Sequence, residues 1–328
     1  MRRESYLVTG AAGFIGSKVC ELLLARQCRV VGVDSLNDAY DVRLKRWRLA
    51  QLELDPAFEF HRMDICDRAR LRQLFRDQAS EFVAVLNLAA RAGVRLSVDD
   101  PWAYLETNVT GTLNLLDLCR EFGVKKFVLA SSSSLYGANN ACPFREDART
   151  DGPLSPYAAS KKAAEAICYT YHYLHGLDVT ALRYFTVYGP AGRPDMSPFR
   201  FVQWICEGRT VYVYGDGTQR RDFTYVDDIA RGTLAALKPL GYEIINLGSD
   251  EPVVLKDAID VIERLVGRKA MIEYSPRHPA DVQATWAHIG KAERLLDWRP
   301  RTTFEVGMAE TVRWYRRNRQ WAKDISTL

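Results

Sequence analysis

A tyrosine and a lysine four residues apart are the pair of side chains in this sequence with the clearest chemistry. They occur in Ser155-Pro-Tyr-Ala-Ala-Ser-Lys161. Serine is a good helix N-cap and proline suits the first helical position, so Tyr157 and Lys161 should lie one turn apart on one helix face. A nearby ammonium and the positive end of the helix dipole favour phenolate. We therefore predict that Tyr157 is a general base with a lowered pKa, although ordinary surface helices also show this spacing.

A glycine-rich turn near the N-terminus is typical of a dinucleotide site. A short apolar strand runs into Thr9-Gly-Ala-Ala-Gly-Phe-Ile-Gly16, and a helix is predicted from there to about Arg26. Strand, glycine turn and helix in this order bring backbone N–H groups to a pyrophosphate at a helix N-terminus. Gly10 permits the turn, Gly13 lets the phosphates approach, and Gly16 lets the helix pack closely. An ordinary turn is the alternative.

An acidic residue, Asp34, ends the next predicted strand, Arg29–Val33. At this place a carboxylate accepts hydrogen bonds from both ribose hydroxyls of adenosine and repels a 2′-phosphate. Neither Arg nor Lys follows it directly, so the sequence favours NAD over NADP as cofactor. The alternative is that Asp34 only caps the following loop.

Predicted strands and helices alternate through the first half of the chain, which indicates right-handed crossovers and a doubly wound parallel α/β sheet of the Rossmann type. A long helix is expected from about Pro101 to Phe122. After the strand Val179–Arg183 proline and glycine become dense, so a smaller, mixed α/β lobe should follow. We expect a NAD-binding domain over residues 1–180, rejoined at about 226–250, and a substrate lobe over 181–328.

Four serines, Ser131–Ser134, follow the predicted strand Lys126–Ala130 directly. Ligands of such sheets bind at the carboxyl ends of the strands. The helix that carries Tyr157 begins soon afterwards and can pack beside this edge. The serine run and Tyr157 should therefore meet in one site.

Composition excludes several other classes of protein. The 328 residues are 47% hydrophobic and 26% charged, with a net charge of +4, as in an ordinary globular protein. The basic run Arg313–Arg319 is interpreted as a solvated helix face, not a nucleic-acid surface. The seven cysteines lack a C-x-x-C pair, and neither they nor the five histidines show metal-ligand spacing. Without a long apolar run or a signal peptide, we expect a cytoplasmic protein with reduced thiols, no metal and no membrane contact.

Taken together, these motifs resemble the extended short-chain dehydrogenase/reductase family, in its NAD-dependent nucleotide-sugar 4-epimerase branch, and most of all the UDP-glucuronate 4-epimerases. The resemblance covers nearly the whole chain. Besides the glycine and Tyr157 motifs, it rests on Asp34–Asp41, Ala130–Gly137, Arg183–Pro190, Gly192–Met196 and Arg221–Asp228.

The resemblance implies roles for individual residues. Tyr157 would be the base, Lys161 would lower its pKa and hold the nicotinamide ribose, and Ser132 would bind the hydroxyl that is oxidised. The implied cofactor-binding residues are Gly10, Gly13, Phe14, Ile15, Gly16, Asp34, Asn37, Asp64, Ile65, Leu88, Ala89, Ala90, Asn108, Ser131, Tyr157, Lys161, Tyr184 and Val187. The implied UDP-sugar-binding residues are Ser132, Ser133, Ser134, Tyr157, Thr186, Arg193, Phe199, Arg221 and Arg277.

The implied reaction is 4-epimerisation of UDP-glucuronate to UDP-galacturonate through a transient 4-keto sugar. The alternatives are a UDP-glucose or UDP-N-acetylhexosamine 4-epimerase, a UDP-glucuronate decarboxylase, and a non-catalytic NAD-binding sensor. The last would have a broken catalytic set, whereas Ser132, Tyr157 and Lys161 are all present. Arg193 is expected to bind the sugar carboxylate, with an ion pair to Asp195 as the alternative.

The same resemblance implies a homodimer in which the helices near 101–121 and 156–175 pair with their copies. The second helix carries Tyr169, Tyr171 and Tyr173. These three side chains cannot all face one core, so some should be exposed or lie in an interface.

Overall fold

The structure is a computed structural model that describes residues 3–276 and 282–327. In these residues the strands are β1 (Ser5–Thr9), β2 (Arg29–Asp34), β3 (Phe58–Arg62), β4 (Phe82–Asn87), β5 (Lys126–Ser132), β6 (Asp178–Tyr184), β7 (Thr186–Tyr188), β8 (Thr210–Tyr214), β9 (Arg220–Tyr225), β10 (Tyr242–Leu247), β11 (Pro252–Val254) and β12 (Met271–Ser275). The α-helices are α1 (Phe14–Ala25), α2 (Val42–Leu52), α3 (Arg68–Gln78), α4 (Leu96–Asp99), α5 (Pro101–Leu105), α6 (Gly111–Phe122), α7 (Pro156–His175), α8 (Ser197–Glu207), α9 (Val226–Ala235), α10 (Leu255–Val266), α11 (Gly290–Leu296) and α12 (Phe304–Ala322).

A large parallel sheet forms the centre of the fold, as the alternation of strands and helices predicted. Its strand order is β10-β6-β5-β4-β1-β2-β3, and every neighbouring pair is parallel. The order of the strands reverses between β1 and β4, and this switch point is where doubly wound sheets bind their ligands. The glycine turn leaves β1 at this point.

Helices cover both faces of the sheet because its strands are apolar on both sides. On one face Val8 and Val30 pack with α1 and α9, and on the other Leu7 and Phe127 pack with α3, α6 and α7. Successive residues such as Leu7 and Val8 therefore belong to different cores, as the two-residue repeat of a strand requires.

A smaller lobe begins directly after β6. It contains the sheet β11-β9-β7 and the pair β12-β8. Residues of β7, β8 and β9 pack with α8, α10 and α12 around a third apolar core. Strand β10 then returns to the large sheet beside β6. The division into a NAD-binding domain, rejoined at about 226–250, and a substrate lobe stays a prediction.

The long helix expected from Pro101 to Phe122 is interrupted. Helix α5 ends at Leu105, the segment Glu106–Thr110 has π-helical hydrogen bonding, and α6 follows. Such π segments often occur at functional sites, because the extra residue turns a side chain in a new direction. Here the segment carries Asn108, whose side chain is buried.

Three further expectations from the composition concern cysteines, metals and membranes. All seven cysteines are free, and four of them are buried. The described part of the chain has no cluster of His, Cys, Asp or Glu that could hold a metal ion. No helix within residues 3–276 and 282–327 is long and apolar enough to cross a membrane.

Candidate active site

Helix α7 presents Tyr157 and Lys161 to a single cleft at the carboxyl edge of the large sheet. The helix begins as predicted: the Ser155 hydroxyl accepts a hydrogen bond from the Ala158 N–H at 3.2 Å, and Pro156 occupies the first turn. Strand β5 ends at Ser132, which lines the same cleft. The three residues that the sequence assigned to catalysis are therefore brought together.

The predicted direction of the Tyr157 pKa is wrong for this structure. Burial in the cleft raises the pKa of Tyr157, although a hydrogen bond with Ser132 and the charge of Arg193 act to lower it. The Lys161 ammonium donates a hydrogen bond to the Ala130 carbonyl at 2.7 Å and is not among the groups that lower the Tyr157 pKa. Burial lowers the pKa of Lys161 to about 8. In the protein alone, Tyr157 is a neutral phenol.

The glycine turn has the close contacts that its sequence predicted. Gly10 has a φ of +69°, and a Cβ there would lie 2.7 Å from the Ala89 nitrogen. A Cβ at Gly16 would lie 2.0 Å from the Gly10 carbonyl oxygen. A side chain at either position would force the turn away from the sheet, so the backbone N–H groups would move out of reach of a phosphate.

The carboxylate of Asp34 is held at the end of β2 by two backbone N–H groups. Ala12 donates to Oδ2 at 3.1 Å, and Leu36 donates to Oδ1 at 2.8 Å. Each carboxylate oxygen has further lone pairs, and Asp34 lines the cleft. This arrangement fits the two ribose hydroxyls of NAD. The close approach at the glycine turn fits its pyrophosphate.

Most of the predicted cofactor residues line this cleft: Gly10, Gly13, Phe14, Ile15, Gly16, Asp34, Asn37, Asp64, Ile65, Leu88, Ala89, Ala90, Ser131, Tyr157, Lys161, Tyr184 and Val187. The exception is Asn108, which stands behind the lining. Its side chain accepts a hydrogen bond from the Arg91 N–H and donates to the Arg91 carbonyl and to Ser160, each at 2.9 Å. Asn108 therefore holds the loop that follows β4.

Most residues expected to bind the sugar lie at the other end of the cleft, where Ser132, Ser133, Ser134, Thr186 and Arg193 are part of the lining. Arg193 makes the ion pair to Asp195 that the sequence offered as the alternative, while binding of the sugar carboxylate stays a prediction. Its guanidinium pairs with Asp195 through bonds of 3.0 and 2.5 Å and donates to the Ala92 carbonyl at 3.0 Å. Burial opposes the charge of Arg193, but the Asp195 pair outweighs it and raises the pKa of the guanidinium.

Two residues expected to bind the UDP-sugar, Phe199 and Arg221, do not line the main cleft. The Phe199 side chain is buried against Trp314 and Tyr315, so the prediction of a substrate contact from this ring is not supported. Arg221 lines a second, smaller pocket with residues of the 214–219 turn, at the start of the smaller lobe's β9. Arg277 lies outside the described residues.

Two basic residues of α2 were missed by sequence reasoning. The buried Lys45 ammonium donates to the backbone and side-chain oxygens of Asn37, at 2.9 and 2.8 Å, inside the cleft. The buried Arg48 guanidinium donates to the carbonyls of Ala12, in the glycine turn, and of Ala191, before Arg193. Arg48 therefore ties the cofactor turn to the sugar loop. A signal existed in the sequence: both cations lie on the face of α2 that also carries Leu44 and Leu49.

These features define a protein that binds a nicotinamide dinucleotide beside a serine–tyrosine–lysine set, at the switch point of a Rossmann sheet. A family model described as the NAD dependent epimerase/dehydratase family matches residues 6–248. The chain belongs to this family, which agrees with the resemblance seen in the sequence.

Similar proteins cover the chain almost completely. A UDP-glucuronate 4-epimerase of Thermodesulfobacterium geofontis is 56% identical over 321 residues, which are 98% of this chain and 98% of that relative. The crystal structure of UDP-glucuronic acid 4-epimerase from Bacillus cereus with UDP-glucuronic acid and NAD has a TM-score of 0.90 and 38% identity, covering 96% of this chain and 99% of the other. UDP-glucose 4-epimerase of Thermotoga maritima with UDP-glucose has a TM-score of 0.88 and 31% identity, covering 96% and 99%.

Proposed function

We propose that this protein is an NAD-dependent enzyme that interconverts UDP-glucuronate and UDP-galacturonate. The observation that carries the proposal is the meeting of Ser132, Tyr157 and Lys161 with Arg193 in one cleft, which also contains the glycine turn and Asp34. The 56% identity with a UDP-glucuronate 4-epimerase over almost the whole chain supports this substrate. The intact catalytic set argues against a non-catalytic sensor.

Each of the catalytic residues in the cleft has a separate role in the proposed reaction. Ser132, hydrogen-bonded to Tyr157, orients the sugar 4-hydroxyl, and Tyr157 accepts its proton as general base. Lys161, one turn along α7, is a buried cation that stabilises the phenolate as the proton moves. When bound, NAD supplies hydride chemistry at C4. The protein contributes orientation and electrostatics.

Arg193 and Thr186 are the residues that we assign to the choice of sugar. A hexuronate differs from a hexose by one carboxylate at C6, and a guanidinium recognises a carboxylate through charge-assisted hydrogen bonds. Arg193 is fixed by Asp195 and by the Ala92 carbonyl, so it reaches the cleft in one orientation. Comparison of kcat/KM for UDP-glucuronate and UDP-glucose tests this assignment. A preference for UDP-glucose would replace it with the general UDP-hexose 4-epimerase function.

We expect the purified protein to carry NAD and to need none added. Release of reduced cofactor in mid-cycle would strand the keto sugar, and the Asp34 carboxylate is already fixed for the adenosine ribose. Denaturation followed by quantification of the released nucleotide measures this. Asp34→Ala should lose the bound NAD, whereas Asp38→Ala, which changes an exposed acid of the same loop, should keep it. An apo-protein active only with added NADP would contradict the prediction.

We further propose a homodimer formed by α5, α6 and α7. Large apolar side chains are exposed on these neighbouring helices, including Trp102 (77%) and Tyr173 (74%). Tyr169 is also exposed, and its ring stacks on that of Tyr173. Exposure is one of the two outcomes that the sequence predicted for these tyrosines. Such a surface is typical of an interface.

Light scattering at micromolar concentration should therefore give the mass of a dimer. Trp102→Asp and Tyr173→Asp should each shift it towards the monomer, because a buried carboxylate would lack a partner. Leu54→Asp is the control, since Leu54 is 79% exposed but lies just beyond α2. A monomeric wild-type protein would contradict the proposal.

The four buried free thiols support a reducing compartment, so we propose that the enzyme is cytoplasmic.

A further inference from the structure

A buried carboxylate that the reaction does not use lies directly behind the catalytic pair. Glu165 is one helical turn beyond Lys161 on α7, and its side chain is 2% exposed. Arg183 of β6 donates Nε to one of its oxygens and Nη2 to the other, both at 2.9 Å. Ser131 of β5 donates its hydroxyl to Oε1 at 2.6 Å. Glu165 thus joins the catalytic helix to the two strands that end in the cleft.

Stabilisation of the fold does not by itself explain the buried ion pair between Glu165 and Arg183. Desolvation of two charges offsets much of their attraction, and apolar residues of similar volume often replace a buried ion pair without loss of stability. Arg183 also has an unsatisfied nitrogen: within the described residues, Nη1 has no hydrogen-bond partner. Its guanidinium lies 4.8 Å above the ring of Tyr136 instead. A charge retained at such a site is a candidate for an electrostatic function.

Lys161 is the group that such a function would serve. Glu165 is on the same helix face at the i,i+4 spacing, where side chains are neighbours. The titratable or charged groups that line the cleft with Lys161 include Tyr157, Tyr184, Arg193, Lys45, Asp34 and Asp64. Behind the amine lie Glu165, Arg183 and Tyr136. Within the described residues, Glu165 is the one anion whose charge acts on the Lys161 amine. It opposes the effect of burial on the Lys161 pKa.

We propose that Glu165 is a positioning residue that keeps the Lys161 amine charged at neutral pH, while Arg183 and Ser131 fix the carboxylate that does so. The inference rests on the proposed function, because a charged Lys161 matters only if Tyr157 must become a phenolate. The direction of the effect follows from charge. A nearby carboxylate stabilises the charged form of lysine, so its removal lowers the pKa of the amine. Because lysine is charged only below its pKa, Lys161 then loses its charge at a lower pH.

The Lys161 titration can be measured directly by NMR in protein labelled with ¹³C-lysine, with the signal assigned by its absence in Lys161→Met. The wild-type amine should titrate below the pKa of an ordinary lysine, because it is buried. In Glu165→Gln this pKa should fall by about one unit or more, the size of effect that a close charge produces. The alkaline limb of kcat/KM for UDP-glucuronate should move to lower pH by a similar amount.

Glu165→Gln leaves the Arg183 charge buried without its partner, so this variant risks unfolding. The double variant Glu165→Gln, Arg183→Met removes both charges. It should fold and should still show the lowered Lys161 pKa. Glu263→Gln is the matched control. Glu263 lies on α10, outside the cleft, and its carboxylate pairs with Lys269. This control should leave the Lys161 titration unchanged.

Two results would overturn the inference: a wild-type Lys161 titration in Glu165→Gln, or its recovery in the double variant. Either result would reduce Glu165 to a counter-ion of Arg183. A lowered Lys161 pKa in a protein that does not convert UDP-glucuronate would support the inference and overturn only the proposed function.

Discussion

Tyr157→Phe should lower kcat for UDP-glucuronate by about 10²–10⁴-fold, the range over which general acid–base catalysis contributes. The affinity for the UDP-sugar should stay close to that of the wild type. The phenol oxygen is the group that accepts the proton of the 4-hydroxyl. The phenylalanine ring keeps the edge-on contact with Tyr104, whose ring centroid lies 6.0 Å away, so the shape of the cleft is preserved. Steady-state kinetics and calorimetric titration with UDP-glucuronate separate the two effects.

Tyr104→Phe is the matched control for the loss of a phenol. Its hydroxyl donates to the Ala92 carbonyl at 3.3 Å, and its ring lies against Tyr157. This variant should keep most of the turnover, since its hydroxyl makes a backbone contact and has no assigned proton to transfer. If Tyr157→Phe had a wild-type kcat, the base would have to be a different residue.

Arg193→Ala should weaken UDP-glucuronate binding by about 2–5 kcal/mol, the usual effect of truncating one partner of a buried, hydrogen-bonded charge pair. The loss should be specific to the acid sugar, because UDP-glucose has no carboxylate for the guanidinium. Titration of the variant with both UDP-sugars measures the difference. Equal losses for the two ligands would indicate that Arg193 only supports the loop.

The same variant should also change the products. Oxidation at C4 makes the hexuronate a β-keto acid, which loses CO₂ most readily when the carboxylate bond stands perpendicular to the ketone plane. A carboxylate held by Arg193 and Thr186 is kept from that angle. Arg193→Ala should therefore release some 4-keto pentose, detectable by mass spectrometry, whereas the wild type should release little. Asp195→Asn is the control: it weakens the anchor of Arg193 but leaves the guanidinium in place.

Local patterns were sufficient to predict the fold and that Ser132, Tyr157 and Lys161 would share one cleft. The N-cap at Ser155 and the proline after it set the start of α7, and the glycine spacing set the turn after β1. Each of these features depends on residues that are adjacent in the chain. The alternation of strands and helices then allowed few topologies other than a parallel sheet.

Features that depend on distant contacts could not be predicted. Lys161 donates to the Ala130 carbonyl of another element, and burial, which depends on the whole fold, is the largest influence on the Tyr157 pKa. Arg48 reaches Ala191, which is 143 residues away. The π segment around Asn108 is likewise accompanied by hydrogen bonds to Arg91 and Ser160, which no local pattern of the helix reveals.

The central claim is that the sugar is oxidised and reduced again at C4 within one cleft. It is tested most directly with UDP-glucuronate that carries deuterium at C4, incubated with the protein without added NAD and followed by NMR and mass spectrometry. The account predicts that UDP-galacturonate forms and retains the deuterium at C4. Loss of the label to water, or failure to form UDP-galacturonate, would contradict it.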